Sequence, residues 1–274
     1  MSFSDAPLAA GQGLALALEY KGSAFHGWQR QGGTEHTVQE TLENALSQIA
    51  NHEIRVACAG RTDAGVHATS QVVSFTAPVS RSLKAWVVGT NAVLPPTVRV
   101  HWASPVTQDF HARFSATERT YRYVWCVQEV RPTSLLQQVT WLRTSLCAAS
   151  MHEAAQSLLG EQDFSAFRAA SCQSTTPFRE VREINVLGQG SFVVMEIRAN
   201  AFLHHMVRNI AGSLSLIGRK IKPVDWIAEL LQGKDRTLAA DTAPPDGLYL
   251  TAVSYPVTFG LPDPVSGPIF LPWD

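Results

Sequence analysis

The stretch Ala59 to Ala68, AGRTDAGVHA, sets Arg61 and Asp63 two positions apart between Gly60 and Gly65, with neither helical nor strand periodicity. A carboxylate and a guanidinium on one turn offer a base or nucleophile beside a cationic partner. Three readings compete. Gly60 and Gly65 have the G-x-x-x-x-G spacing of a phosphate loop, but Val66 and His67 stand where Lys and then Ser or Thr would have to reach phosphates and magnesium, so that reading fails. In the second, the stretch is a structural turn whose glycines take backbone angles that other residues avoid, with Asp63 bonding to nearby amides. In the third, Asp63 is a catalytic nucleophile or base and Arg61 is a partner for substrate. A lone carboxylate cannot run the two-carboxylate glycosidase scheme unless a second acid comes from elsewhere, and the sequence does not show which one.

Regular elements must display this loop. Leu14, Leu16, Leu18 and Tyr20 alternate with Ala15, Ala17 and Glu19, the period of a strand. Thr37 with Glu40 three residues on is a capping box, opening a helix whose buried stripe is Val38, Leu42, Ala45, Leu46 and Ile49. After the loop, QVVSFTA reads as a strand. Further on, TYRYVWCV (120–127) puts Tyr121, Tyr123, Trp125 and Val127 on one strand face. A helix over 150–160, strands at EVREINVL and SFVVMEIRA, a long helix from about Ala201 to Ile217, a helix near 223–232 and a strand at GLYLTAVSY complete a second strand-and-helix set. It parallels the first, which points to a duplication at the level of fold. In the long helix Leu203, Val207, Ile210, Leu214 and Ile217 form the core face, with His204, Arg208 and Ser215 on another. Pro256, Pro262, Pro264, Pro268 and Pro272 make the C-terminal end an extended surface segment.

Composition narrows the classes. A chain of 274 residues, 45% hydrophobic and 16% charged, is ordinary globular material with room for two α/β units. No apolar run approaches the roughly 18 residues of a membrane helix, and no signal segment is visible at the N-terminus, so the cytoplasm is the expected location. The net charge of −1 does not announce a nucleic-acid binder, so any RNA contact must come from local patches. Two runs qualify: Arg113, Arg119 and Arg122 against Glu118, and Arg198, Arg208, Arg219, Lys220 and Lys222 with no acid between them. Cys58, Cys126, Cys147 and Cys172 form no C-x-x-C pair, which argues against zinc or a redox couple. His204 and His205 could suggest a metal, but adjacent helical residues point about 100° apart and no third ligand has a helpful spacing, so none is expected.

Seven segments in order carry a more specific signal: YKGSAFHGWQRQ (20–31), TVQETLENAL (37–46), AGRTDAGVHATSQVVSF (59–75), FHARFSATERTYRY (110–123), EQDFSAF (161–167), NAFLHHMVRNIAG (200–212) and TAPPDGLYL (242–250). Together they resemble the bacterial tRNA pseudouridine synthases of the TruA family, from about residue 14 to 255. The resemblance implies an α+β fold: two ferredoxin-like α/β halves, with antiparallel sheets flanked by helices and a cleft between them. It implies domains at 12–112, carrying the Asp loop, and at 113–256; the Pro-rich extended tail over 257–274 has no obvious counterpart in the family. It also implies an isomerase that converts uridines 38, 39 and 40 of the tRNA anticodon stem-loop to pseudouridine, as a homodimer and without a cofactor. The family's nucleophilic aspartate falls on Asp63, its motif arginine on Arg61, its stacking tyrosine on Tyr121, its active-site arginine on Arg208, and the leucine of its last motif on Leu248.

The chain departs from the family pattern at Lys21, where Asp is usual, at Gln162, where His is usual, and at Asp241, where Pro is frequent. None touches the Asp, Tyr or Arg positions. Competing readings of the same residues are an RNA or nucleoside glycosidase, in which water captures the sugar, and a tRNA-binding protein without chemistry.

Overall fold

The computed structural model describes residues 3–30, 32, 36–265 and 267–271. Contacts group the chain into two units, residues 1–117 with 249–274 and residues 118–248. The first contains β1 (Pro7–Leu8), β2 (Gly13–Tyr20), α1 (Val38–Ala50), β3 (Ala57–Cys58), β4 (His67–Thr76) and β5 (Arg81–Ser82). A π-helical turn over Ala85–Gly89 then runs into α2 (Thr90–Val93), followed by β6 (Val98–Val106).

Strand β2 lies between β4 and β6, antiparallel to both. Leu14, Leu16 and Leu18 are fully buried, and so are Ala15 and Ala17 between them. The alternation read from the sequence is therefore one of large and small residues in a strand covered on both faces. Helix α1 begins where its cap predicts: Thr37 is extended, and its hydroxyl accepts the Glu40 N–H at 3.3 Å. Strand β4 starts at His67, so the end of the glycine-bracketed stretch already belongs to the sheet. The sequence reading passed over β6. Leu18 pairs with Val100 but Ala17 with Trp102, and the extra residue, His101, is a bulge that breaks the two-residue period.

The second unit contains β7 (Glu118–Val127), β8 (Thr140–Leu142), α3 (Ala148–Ala155), β9 (Gly160–Asp163), β10 (Phe178–Gln189), β11 (Phe192–Ala199), α4 (Met206–Gly218) and α5 (Trp226–Gly233). Its sheet runs β7-β11-β10-β9 with antiparallel neighbours, and β8 lies parallel to β7. Helix α3 packs on β10 and on α4. Two elements are shorter than the sequence predicts. The helix read over 150–160 stops at Ala155, passes through one 3-10 turn and gives way to β9 at Gly160, whose φ is +87°. Helix α4 starts at Met206 rather than near Ala201, because His205 holds a left-handed φ of 61° that a helix cannot continue through. The residues before it are used otherwise: the His204 carbonyl accepts Ala169 N–H at 3.0 Å, and Asn200 Oδ1 accepts Glu180 N–H at 3.1 Å.

After a 3-10 turn at Pro245–Gly247 the chain forms β12 (Leu248–Ser254), parallel to β4 with Tyr249 opposite His67 and Leu250 opposite Ala68. From Tyr249 on, the chain groups with the first unit, whereas the sequence expectation carried a C-terminal domain from 113 to 256. Pairing with β4 is a contact between residues far apart in sequence, and strand periodicity alone does not assign it. Among its described residues the segment 257–274 holds a 3-10 turn at Val257–Phe259; Gly267, Pro268 and Leu271 are buried, so part of it is packed. Pro272 lies outside the described residues. With helices against mainly antiparallel sheets, the fold is α+β, the class expected from the sequence.

Candidate active site

Asp63 sits on the loop that connects β3 to β4. Its carbonyl accepts Val66 N–H at 3.1 Å, closing a four-residue turn with Gly65 third at φ +83°. A type II turn needs that sign of φ at that position, which explains one bracketing glycine. Gly60 is held differently: its carbonyl accepts Gln71 Nε2 at 2.6 Å, and Gln71 also donates to the Tyr20 hydroxyl at 3.4 Å. That hydroxyl shares a 2.8 Å hydrogen bond with buried Thr62 Oγ1. Thr62 thus points inward, while Arg61 on one side is exposed and Asp63 on the other is half-buried.

The outer wall of the loop is the segment 20–28. Trp28 N–H donates to the Thr62 carbonyl at 3.0 Å. Gly27 has φ +88°, and a Cβ there would stand 3.0 Å from the Thr62 oxygen and 3.2 Å from the Asp63 carbonyl carbon. A Cβ on Gly22 would overlap the Val66 carbonyl oxygen. The Gly22 N–H donates to His67 Nδ1 at 3.1 Å, and the His67 ring stacks on Tyr249 at 4.7 Å. Sequence reasoning did not single out Tyr20, Gly22, Gly27, Thr62, His67 or Gln71 for this task. Their signal is the segment 20–31 itself, which carries the family resemblance but no local mark of a supporting role. Burial drives the neighbouring Cys58 thiol up to about 11, and Arg61 and Arg113 offset this only in part. It therefore stays a thiol at neutral pH and is no rival nucleophile.

In the second unit Tyr121 lies on β7, buried, with Phe202 edge-on at 5.1 Å between ring centroids. Arg208 lies in the first turn of α4. Its Nε donates to the Ala243 carbonyl at 2.8 Å, while Ala243 N–H donates back to the Arg208 carbonyl at 3.2 Å. The guanidinium is thus anchored to the 242–248 motif. That motif is pinned to β7: the Tyr123 hydroxyl donates to the Pro244 carbonyl at 2.8 Å, and a Cβ on Gly247 would come within 2.6 Å of the Val124 oxygen. Burial moves the Tyr123 hydroxyl well above the ordinary phenol range, against the Thr140 hydrogen bond and the nearby Arg208 charge. Leu248, 5% exposed, is the motif residue at which β12 begins. Arg61 and Asp63 thus share one braced loop of the first unit, and Tyr121, Arg208 and Leu248 share the β7–α4 region of the second.

Two sequence arguments change in the structure. The basic runs are paired in part: Arg198 bonds Glu118 and Glu183, with Arg182 also on Glu118, Arg122 takes Glu196, and Arg119 donates to the Asn200 carbonyl. Cross-strand neighbours supply these acids, which local charge counting cannot see. The helical argument that sent His204 and His205 apart does not apply either. Neither lies inside α4, and their ring centroids are 4.0 Å apart, with His204 Nδ1 3.1 Å from Ser171 Oγ.

This arrangement occurs in a chain with clear relatives. The family model described as tRNA pseudouridine synthase matches residues 16–115 and 154–256. The chain is 56% identical over 258 residues, 94% of its own length and 95% of the relative's, to tRNA pseudouridine synthase A of Escherichia fergusonii. The same identity and coverage hold for proteins of that name from Escherichia coli O1:K1 / APEC and from Enterobacter sp. (strain 638). The family model covers the Asp63 loop, the segment that walls it, Arg208 and Leu248, and Tyr121 falls between its two matched stretches; the chain belongs to the tRNA pseudouridine synthase family.

Proposed function

We propose that this protein isomerises uridines 38, 39 and 40 in the anticodon stem-loop of tRNA to pseudouridine, with Asp63 as the nucleophile. The bond from ribose C1′ to N1 breaks, C1′ joins C5, the C5 hydrogen leaves as a proton and N1 takes one up. Nothing is oxidised or reduced, so the reaction calls for no redox cofactor. The observation that carries the proposal is the braced turn at 60–66, which fixes the backbone on both sides of a half-buried carboxylate while leaving Arg61 exposed beside it.

A paired uridine must be unstacked and extruded, at a cost of a few kcal/mol, before any group can reach C1′. In this reading Arg61 enters the vacated space or grips the flipped phosphate, and Tyr121 stacks on the uracil. In the same reading Arg208 and Leu248 bind the substrate. The protein acts as a homodimer in the cytoplasm. The test is to incubate it with unmodified tRNA and map pseudouridine by position. Conversion at 38 to 40 is the expected result, conversion elsewhere would overturn the site assignment, and release of free uracil would identify a glycosidase.

A further inference from the structure

The proline-rich C-terminal segment has no part in the reaction described above, yet its residues 267–271 are packed against β4 and β12. A Cβ on Gly267 would stand 2.6 Å from Thr69 Cγ2, Leu271 is 7% exposed, and Leu271 N–H donates to the Pro268 carbonyl at 3.0 Å. The Phe270 ring meets Tyr249 edge-on at 6.2 Å. Tyr249 in turn stacks on His67 at 4.7 Å and 17°, His67 Nδ1 accepts Gly22 N–H, and Gly22 lies against the Val66 carbonyl. Val66 closes the turn on the Asp63 carbonyl at 3.1 Å. Each link lies within the first unit, and each is a ring contact, a hydrogen bond or a close backbone approach.

We propose that Gly267–Leu271 is a strap that positions the Asp63 loop, acting through Phe270, Tyr249 and His67, so that these three are positioning residues for the isomerisation. The physical basis is the tight tolerance of a reacting carboxylate, since a displacement near 1 Å can cost roughly a hundredfold in rate. His67 is the coupling element. Its Nδ1 must stay unprotonated to accept from Gly22, and only a ring held in plane aims that lone pair at the amide. Tyr249 holds the ring in plane, and Phe270 holds Tyr249. The inference rests on Asp63 being the reacting group.

The test is single-turnover tritium release from tRNA labelled on uracil C5, with tRNA affinity and thermal unfolding measured alongside. Phe270→Ala should lower the rate at saturating tRNA by about tenfold while affinity stays within about twofold, and Phe270→Tyr, which keeps the ring, should restore it. Tyr249→Leu should show the same loss, and the double variant should lose little more than either alone, because both interrupt one chain of contacts. An unchanged rate, a loss confined to tRNA affinity, a loss that matches the fraction unfolded, or additive losses would each overturn the strap. If Asp63→Asn stays active, the nucleophile assignment fails by itself, whereas the non-additivity reports the linkage whichever residue of the loop reacts.

Discussion

Gly27 and Asp63 meet backbone to backbone: a Cβ on residue 27 would lie 3.2 Å from the Asp63 carbonyl carbon and 3.1 Å from the Ala64 nitrogen, at a φ of +88°. Both the space and the angle demand glycine. Gly27→Ala should therefore destabilise the protein by about 1–2 kcal/mol from the left-handed angle alone. It should also displace the turn, cutting the saturated rate by more than about tenfold. Urea unfolding measures the first effect and single-turnover kinetics the second; a fully active, fully stable variant would show that the turn tolerates displacement.

The carboxylate itself is tested by an isosteric replacement and by a truncation. Asp63→Asn and Asp63→Ala should retain tRNA binding, measured by filter retention, and form no pseudouridine. Activity in either would remove Asp63 from the nucleophile role.

Tyr121 is buried with Phe202 against its edge. Tyr121→Phe keeps the ring and should keep most of the stacking, a contact worth roughly 1–3 kcal/mol per base. A loss as severe as that of the aspartate variants would assign the hydroxyl to the chemistry. Tyr121→Leu should weaken activity further than Tyr121→Phe.

Glu43 is 2% exposed within α1 and accepts from Val56 N–H at 3.0 Å, Gln39 Nε2 at 3.0 Å and Arg55 at 2.9 Å. Glu43→Ala strands the buried Val56 amide and should cost about 1–3 kcal/mol, read by urea unfolding. Glu43→Gln, whose carbonyl can still accept from Val56, should cost less. Equal losses would show that charge, not the amide contact, matters.

Glu118 on β7 joins Arg198 on the neighbouring β11 and Arg182 on β10. Burial works to raise its carboxyl, but the two guanidinium groups prevail and hold it below its ordinary value of 4.5. A carboxyl with a depressed folded-state pKa contributes stability that is fully present above its unfolded value and is lost as pH falls through the folded one. Thermal midpoints should accordingly fall below about pH 4.5, and Glu118→Gln should make that acid limb shallower. An unchanged limb would show that other carboxylates carry it.

The sequence by itself determined the local and the inherited. The Thr37 cap, the strand at 14–20, the helical stripe from Val207 to Ile217 and the turn around Asp63 depend on residues within a few positions of each other, and so does the motif series that identifies the family. Tertiary structure decided whatever depends on partners distant in the chain. Helix α4 starts at Met206 because the segment before it is held to residues near 169 and 180, and Arg198 is neutralised by acids on neighbouring strands. Strand β12 pairs with β4 across roughly 180 residues of chain, and the proline-rich end folds back onto that pair. A local pattern records what a residue prefers. Burial and pairing depend on what the rest of the chain brings to it, and for the Asp63 loop that was a wall of glycines more than thirty residues upstream.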